Sequence, residues 1–99
     1  MNLNDLIHEA DLLVQAKGWY KEGSDKPQNA RNLTISLVLE AAELLECFQW
    51  TENADKSRVS EELADVMIYV AQIANVMNID LDQAVVQKLN VNKNRKWQV

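Results

Sequence analysis

Two pairs of acidic side chains stand out because each is set into an otherwise apolar stretch of the sequence. Glu40 and Glu43 interrupt one apolar run, and Glu62 and Asp65 interrupt a second one. Residues three apart on a helix are offset by about 60° and by roughly 4.5 Å along the axis, so each pair occupies one ridge of its helix. If the two helices are antiparallel neighbours, the two acidic ridges face each other.

Four carboxylates placed together in a partly apolar setting repel one another and lose hydration, at several kcal/mol per unpaired charge. A divalent cation with oxygen ligands removes this cost, and magnesium is the usual ion where phosphates complete its shell. The alternative is a solvated helix face, because acidic pairs at this spacing are common on helices. Two pairs in neighbouring apolar helices favour the metal, and we predict that Glu40, Glu43, Glu62 and Asp65 bind Mg²⁺.

Other metal sites are excluded by the scarcity of histidine and cysteine. His8 is the only histidine and Cys47 the only cysteine. A di-iron bundle needs a Glu-x-x-His pair on each of two helices, and zinc sites of the usual kind need several Cys or His ligands. A single cysteine also cannot form an internal disulfide, which is typical of the reducing cytoplasm.

The elements that must position these acids are helices. The 99 residues have room for one domain, residues 1–99, and two glycines with one proline are too few for an all-β fold. Apolar periodicity predicts helices over residues 3–17, 32–50 and 57–77, and a fourth beginning after Asp80. Asn2 or Asn4 is expected to cap the first, and Asp80 to Gln83 has the spacing of a reciprocal cap. The prediction is all-α, a four-helix bundle, with a polar loop over residues 19–32.

The second helix carries more apolar surface than one bundle contact needs, which predicts that oligomerisation completes the fold. One face holds Leu37, Leu44 and Phe48, and another holds Ile35, Leu39 and Ala42.

Net charge and hydropathy limit the classes of binding partner and the cellular locations that we expect. The formal net charge of −5 argues against a broad grip on a nucleic-acid backbone. No apolar run approaches the ~20 residues that span a bilayer, and the acidic, amphipathic N-terminal segment is unlike a signal peptide. We therefore expect a cytoplasmic protein that binds neither nucleic acid nor membranes.

The acidic pairs, together with the motifs around them, resemble the signature of the MazG-like, all-α nucleoside triphosphate pyrophosphohydrolases. The resemblance covers about Trp19 to Lys96 and is nearest to the dCTP pyrophosphatase branch. It rests on four stretches in the same order: Arg31-Asn32-Leu33, residues 43–50 ending in Trp50, residues 62–69 ending in Tyr69, and Lys88 to Asn92 with the basic residues that follow.

The resemblance implies a reaction and a set of site residues. A nucleoside triphosphate would be cleaved between its α and β phosphates to a monophosphate and pyrophosphate, with the four acids as ligands of one or more magnesium ions. Family members assemble as homodimers or homotetramers. The substrate contacts implied are Lys88, Asn92 and Arg95 for the phosphates, Trp19, Trp50 and Tyr69 for the base, and the Arg31-Asn32 motif.

Two functions remain open from the sequence. The first is a Mg-dependent pyrophosphohydrolase that removes dCTP-like or non-standard nucleotides from the nucleotide pool. The second is a non-catalytic helical module whose apolar faces build an oligomer.

Residues 20–30 are longer than the matching stretch of dCTP-specific members and lack its histidine, so the preferred base and sugar stay open. The metal count, the general base and the choice of dimer or tetramer stay open too.

Overall fold

Four helices make up the computed structural model, which describes residues 2–17 and 27–96. They are α1 (Leu3–Lys17), α2 (Ala30–Glu46), α3 (Lys56–Val76) and α4 (Leu81–Asn94). The described residues contain no strand. The all-α, four-helix prediction is therefore confirmed. Within the same residues, none of the helices has the length and apolar character that crossing a membrane requires.

The first and fourth helices begin where the sequence predicts, because their capping side chains are in place. The backbone N–H of Asp5 donates to Asn2 Oδ1 at 2.9 Å, and the N–H of Asn2 donates back to Asp5 Oδ2 at 3.3 Å. At α4, the N–H of Gln83 donates to Asp80 Oδ1 at 3.1 Å. Each cap satisfies a backbone donor that the first turn leaves unpaired.

Helix α2 is shifted toward the N-terminus relative to its predicted bounds of 32–50. It starts at Ala30 because Asn29 is the capping residue, whose Oδ1 accepts from the N–H of Asn32 at 2.8 Å. It ends at Glu46, and residues up to Trp50 form turns and bends. The apolar periodicity continues past the true end of the helix, which is why the pattern alone overestimates it.

The end of α3 turns the chain sharply toward α4. Asn78 has a left-handed backbone, with φ of 54°. The N–H of Ile79 bonds to the carbonyl of Ala74 at 2.8 Å, and that of Asn78 bonds to the carbonyl of Asn75 at 3.2 Å. This pair of bonds is a Schellman motif, in which asparagine takes the place that glycine most often fills.

Helix α3 is central, since it packs against both α2 and α1, while α4 packs on α1. A polar tie joins α1 to α3, where Asn75 Nδ2 donates to Asp11 Oδ1 at 2.8 Å and Gln15 Nε2 donates to Asp11 Oδ2 at 2.7 Å. The buried core of the described residues is small, and α4 adds no buried residue. Its apolar members are Ala10, Val14, Leu33, Cys47, Ala71 and Ala74.

Much apolar surface stays exposed on the isolated chain. The accessible surface is 7783 Å², whereas about 5,700 Å² is usual for a folded monomer of this mass. The radius of gyration is 15.9 Å, against roughly 12.6 Å for a compact domain of this length. The outward face of α2 contributes Val38 and Leu39, which are 62% and 61% exposed.

Candidate metal centre

Three carboxylates from two helices meet at one point of the α2–α3 interface. Glu40 of α2 and Glu62 and Asp65 of α3 each offer an oxygen, and these oxygens all lie within 4.8 Å of one another. Helices α2 and α3 run antiparallel, because a second contact joins Gln28, ahead of α2, to Gln72, near the end of α3. We call Glu40, Glu62 and Asp65 the acidic cluster.

Two oxygens of the cluster are buried without a hydrogen-bond partner. They are Oε2 of Glu40 and Oε2 of Glu62. A buried acceptor left without a hydrogen-bond partner destabilises the fold, and more so where it is charged. Carboxylate oxygens without donors, drawn from two helices, are the ligand set that a hard divalent cation prefers. The residues therefore fit a magnesium ion.

Burial, and after it the neighbouring carboxyls, favours the protonated form of the cluster. Burial, followed by the neighbouring carboxyls of Glu43, Glu62 and Asp65, raises the pKa of Glu40 from 4.5 to about 7. Burial is also the main cause of the raised pKa of Glu62, with further contributions from Glu43 and Asp65. Without a cation, the site is thus partly protonated near neutral pH. A cation would take the place of that proton.

Glu43 lies at the rim of this site. It is close enough to raise the pKa of both Glu40 and Glu62, but it is exposed and is not one of the three residues whose oxygens lie together. The offset of about 60° between positions three apart explains the difference. Glu40 lies in the interface with α3, and Glu43 at its solvent edge.

The predicted base contacts are placed unequally. Tyr69 is half-buried on α3, one helical turn beyond Asp65. Trp50 lies in the turn after α2 and is 88% exposed. Trp19 lies outside the described residues.

The remaining predicted contacts are at the start of α2 and on α4. Arg31 is exposed, and Asn32 is half-buried with its Nδ2 donating to the Pro27 carbonyl at 3.1 Å. Lys88 is exposed on α4. Asn92 has a buried Oδ1 without a hydrogen-bond partner. Arg95 caps the end of α4, and its N–H donates to the Asn92 carbonyl at 3.3 Å.

A polar pair that the sequence analysis missed lies along the same interface. Gln72 is buried, with 3% of its surface exposed, and its Nε2 donates to Gln28 Oε1 at 3.4 Å. The signal was present, since Gln72 follows Asp65 by seven residues and is polar in an apolar part of α3. The apolar periodicity of α3 predicts that such a position is buried, but it does not identify the residue that forms a hydrogen bond with it.

The four helices of residues 2–17 and 27–96, with acidic residues clustered on two of them, define an all-α protein with a candidate metal centre. Residues 35–99 match the MazG-like family. The match extends over more than half of the sequence, and the chain belongs to this family.

Known relatives agree with this assignment. The chain is 37% identical over 75 residues to dCTP pyrophosphatase 1 of Rattus norvegicus and 36% identical to that of Homo sapiens. Each match covers 66% of this chain and 44% of the relative, so the chain spans less than half the length of these relatives. The crystal structure of a pyrophosphatase from Archaeoglobus fulgidus is similar, with a TM-score of 0.76 and 34% identity, covering 94% of this chain and 92% of the other.

Proposed function

We propose that this protein hydrolyses a nucleoside triphosphate between the α and β phosphates, with magnesium held by the acidic cluster. The observation that carries the proposal is the meeting of Glu40, Glu62 and Asp65 within 4.8 Å, with two buried oxygens that have no partner. The family and the pyrophosphatase names of the relatives support the same reaction.

Each acid has a distinct part in this proposal. Glu40, Glu62 and Asp65 would hold the metal, and Glu43 at the rim would offer a further oxygen or orient the attacking water. When bound, magnesium neutralises phosphate charge and makes water a better nucleophile.

The substrate is proposed to extend from the cluster along α3. Tyr69, half-buried one turn beyond Asp65, offers a ring on which a base can stack. Lys88, Asn92 and Arg95 of α4, with Arg31 and Asn32 at the start of α2, are the proposed further contacts. Because the relatives include dCTP pyrophosphatases, dCTP is the first nucleotide to test.

A second copy of this chain is proposed to cover the outward face of α2. Val38 and Leu39 of this face are 62% and 61% exposed, and a stable interface buries about 800 Å² on each partner. Helix α4 has no buried residue, and a short helix is marginal in water without packing. A homodimer or homotetramer, acting in the cytoplasm, is the proposed active form.

The non-catalytic module is the second candidate, and the same exposed apolar surface favours it. A non-catalytic module, however, does not explain why two buried carboxylate oxygens have no hydrogen-bond partner. Measuring the release of pyrophosphate distinguishes the two functions.

The test is to incubate the protein with a panel of ribo- and deoxyribonucleoside triphosphates, with magnesium or with a chelator, and to measure pyrophosphate and monophosphate. We expect both products in equal amounts, and only with magnesium. Asp65→Asn should reduce the rate by at least about a hundredfold. Product that is orthophosphate, or a panel without any product, would contradict the proposal.

Glu61→Gln is the matched control for Asp65→Asn. Glu61 is an exposed acid of the same helix and is not a member of the cluster. This variant should keep the wild-type rate, which excludes a general effect of removing negative charge from α3.

A further inference from the structure

Gln72 is the only polar residue in the buried core of the described residues. It is 3% exposed and lies between Ala71 and Ile73, with Ala71 fully buried and Ala74 3% exposed. A buried amide is tolerated when it is hydrogen-bonded, but an apolar side chain of similar size usually stabilises such a place at least as well. Stability alone therefore gives no reason for a glutamine here.

The partner of Gln72 is the segment that leads into α2. Its bond to Gln28 joins residues 44 apart in the chain. The residues on either side of Gln28 are tied to α2 as well, because the Pro27 carbonyl accepts from Asn32 Nδ2 at 3.1 Å and Asn29 Oδ1 accepts from the N–H of Asn32 at 2.8 Å. Residues 27–29 are thus held to the first turn of α2 and, through Gln72, to α3.

In the proposed substrate pose, this tie lies on the nucleoside side of the candidate site. Asp65, Tyr69 and Gln72 follow one another at intervals of four and three residues, which keeps them on one ridge of α3. Tyr69 is about 6 Å and Gln72 about 10 Å beyond Asp65 along the axis. With the phosphates at the acidic cluster, a nucleoside that reaches Tyr69 ends near Gln72 and the start of α2.

We infer that Gln72 is a positioning residue for the nucleoside part of the substrate, acting through Gln28 and the first turn of α2. The inference rests on the proposed function. The pair holds residues 27–29 and the start of α2 in place before the substrate arrives, so binding does not have to order them. Its loss weakens nucleoside binding and leaves the chemistry at the cluster unchanged.

The test compares wild type with Gln72→Leu, which keeps the volume and removes the bond. KM is measured for the best nucleotide of the panel, and calorimetry gives the Kd of its monophosphate and of pyrophosphate with magnesium. We expect KM and the monophosphate Kd to rise about three- to tenfold. The kcat and the pyrophosphate Kd should stay unchanged, because pyrophosphate does not reach the nucleoside end.

Two variants of Gln28 test the bond from its other side. Gln28→Leu should reproduce the effect of Gln72→Leu, and the double variant should be no worse than either one. Gln28→Glu keeps an acceptor and should restore a nearly wild-type KM. If Gln72→Leu does not fold, the comparison of Gln28→Leu with Gln28→Glu decides the question.

Asn75→Ala is the structural control. It removes an amide bond of α3 to Asp11, on the α1 side, and should lower the melting temperature without raising KM. An unchanged KM in folded Gln72→Leu, or an equal rise in the pyrophosphate Kd, overturns the inference and leaves the hydrolase proposal intact. A wild-type protein that hydrolyses no nucleotide overturns the proposed function itself.

Discussion

The carboxyls of Glu40 and Glu62 face each other across two helices, with oxygens within 4.8 Å and a buried Oε2 on each that has no hydrogen-bond partner. Folding thus brings together two groups that repel when ionised. The metal-free fold keeps a proton there, as the raised pKa of both residues indicates.

Magnesium is expected to stabilise the protein against heat in the absence of any nucleotide. A ligand that binds the folded state alone adds about 2.7 kcal/mol at a hundred times its Kd, so the melting temperature followed by circular dichroism should rise with the ion. Asp65→Asn should lose most of the rise, and Glu61→Gln should keep it. An equal rise in wild type and Asp65→Asn would show that the ion acts elsewhere.

The metal-free protein is expected to lose stability as pH rises from about 4.5 to above 7. The pKa of Glu40 is raised from 4.5 to about 7 in the folded state, so the folded chain binds more protons than the unfolded chain in this range. The contribution of Glu40 to the free energy of unfolding is therefore fully present below pH 4.5 and is lost as the pH rises through 7. Urea unfolding in a chelating buffer at several pH values measures it.

Glu40→Gln is the variant that isolates this effect. It imitates the protonated form, so its stability should fall less with pH and should exceed that of wild type at pH 8. A variant that is markedly less stable than metal-free wild type at pH 8 would mean that Glu40 is a structural partner within the fold.

Leu39→Lys is expected to dissociate the oligomer. Leu39 is 61% exposed on the isolated chain, and a charge placed in an apolar interface has no partner there. Size-exclusion chromatography with light scattering should give a smaller assembly than wild type. Asn4→Lys, a change at an exposed polar position of α1, should leave the mass unchanged. A monomeric wild type would contradict the proposed assembly.

Asn78→Ala is expected to lower the free energy of unfolding by about 1 kcal/mol, because alanine tolerates a left-handed backbone poorly. Asn78 has φ of 54°, and glycine accepts this conformation without steric cost. Asn78→Gly should therefore equal or exceed wild type. Urea unfolding of the three proteins checks the order, and an alanine variant as stable as the glycine variant would contradict it.

The sequence predicts the helices well and their ends less well. The bounds of α1 and the cap at Asp80 are as predicted, since both are specified by neighbouring residues. The bounds of α2 differ from the predicted ones. Asn29 belongs by composition to the polar loop before the helix, and the apolar pattern continues toward Trp50. A local pattern does not reveal where packing against α3 stops.

For the site, the sequence supplies the acids but not their division into cluster and rim. The i, i+3 spacing treats Glu40 and Glu43 alike, and only the rotation of α2 against α3 separates them. Gln72 was missed for a similar reason, since its partner is 44 residues away. Contacts between distant residues depend on tertiary packing, which a single sequence read locally does not contain.

All members of the acidic cluster come from one helical hairpin, and Glu40 and Glu62 are 22 positions apart in the chain. Closing so short a loop has a modest entropic penalty, and local contacts of this kind tend to form early. We therefore expect these charges to meet while the rest of the molecule is still being assembled. We expect magnesium to accelerate refolding, which stopped-flow measurements with and without the ion would test, and the cluster would then be a metal-sensitive step in the formation of the fold.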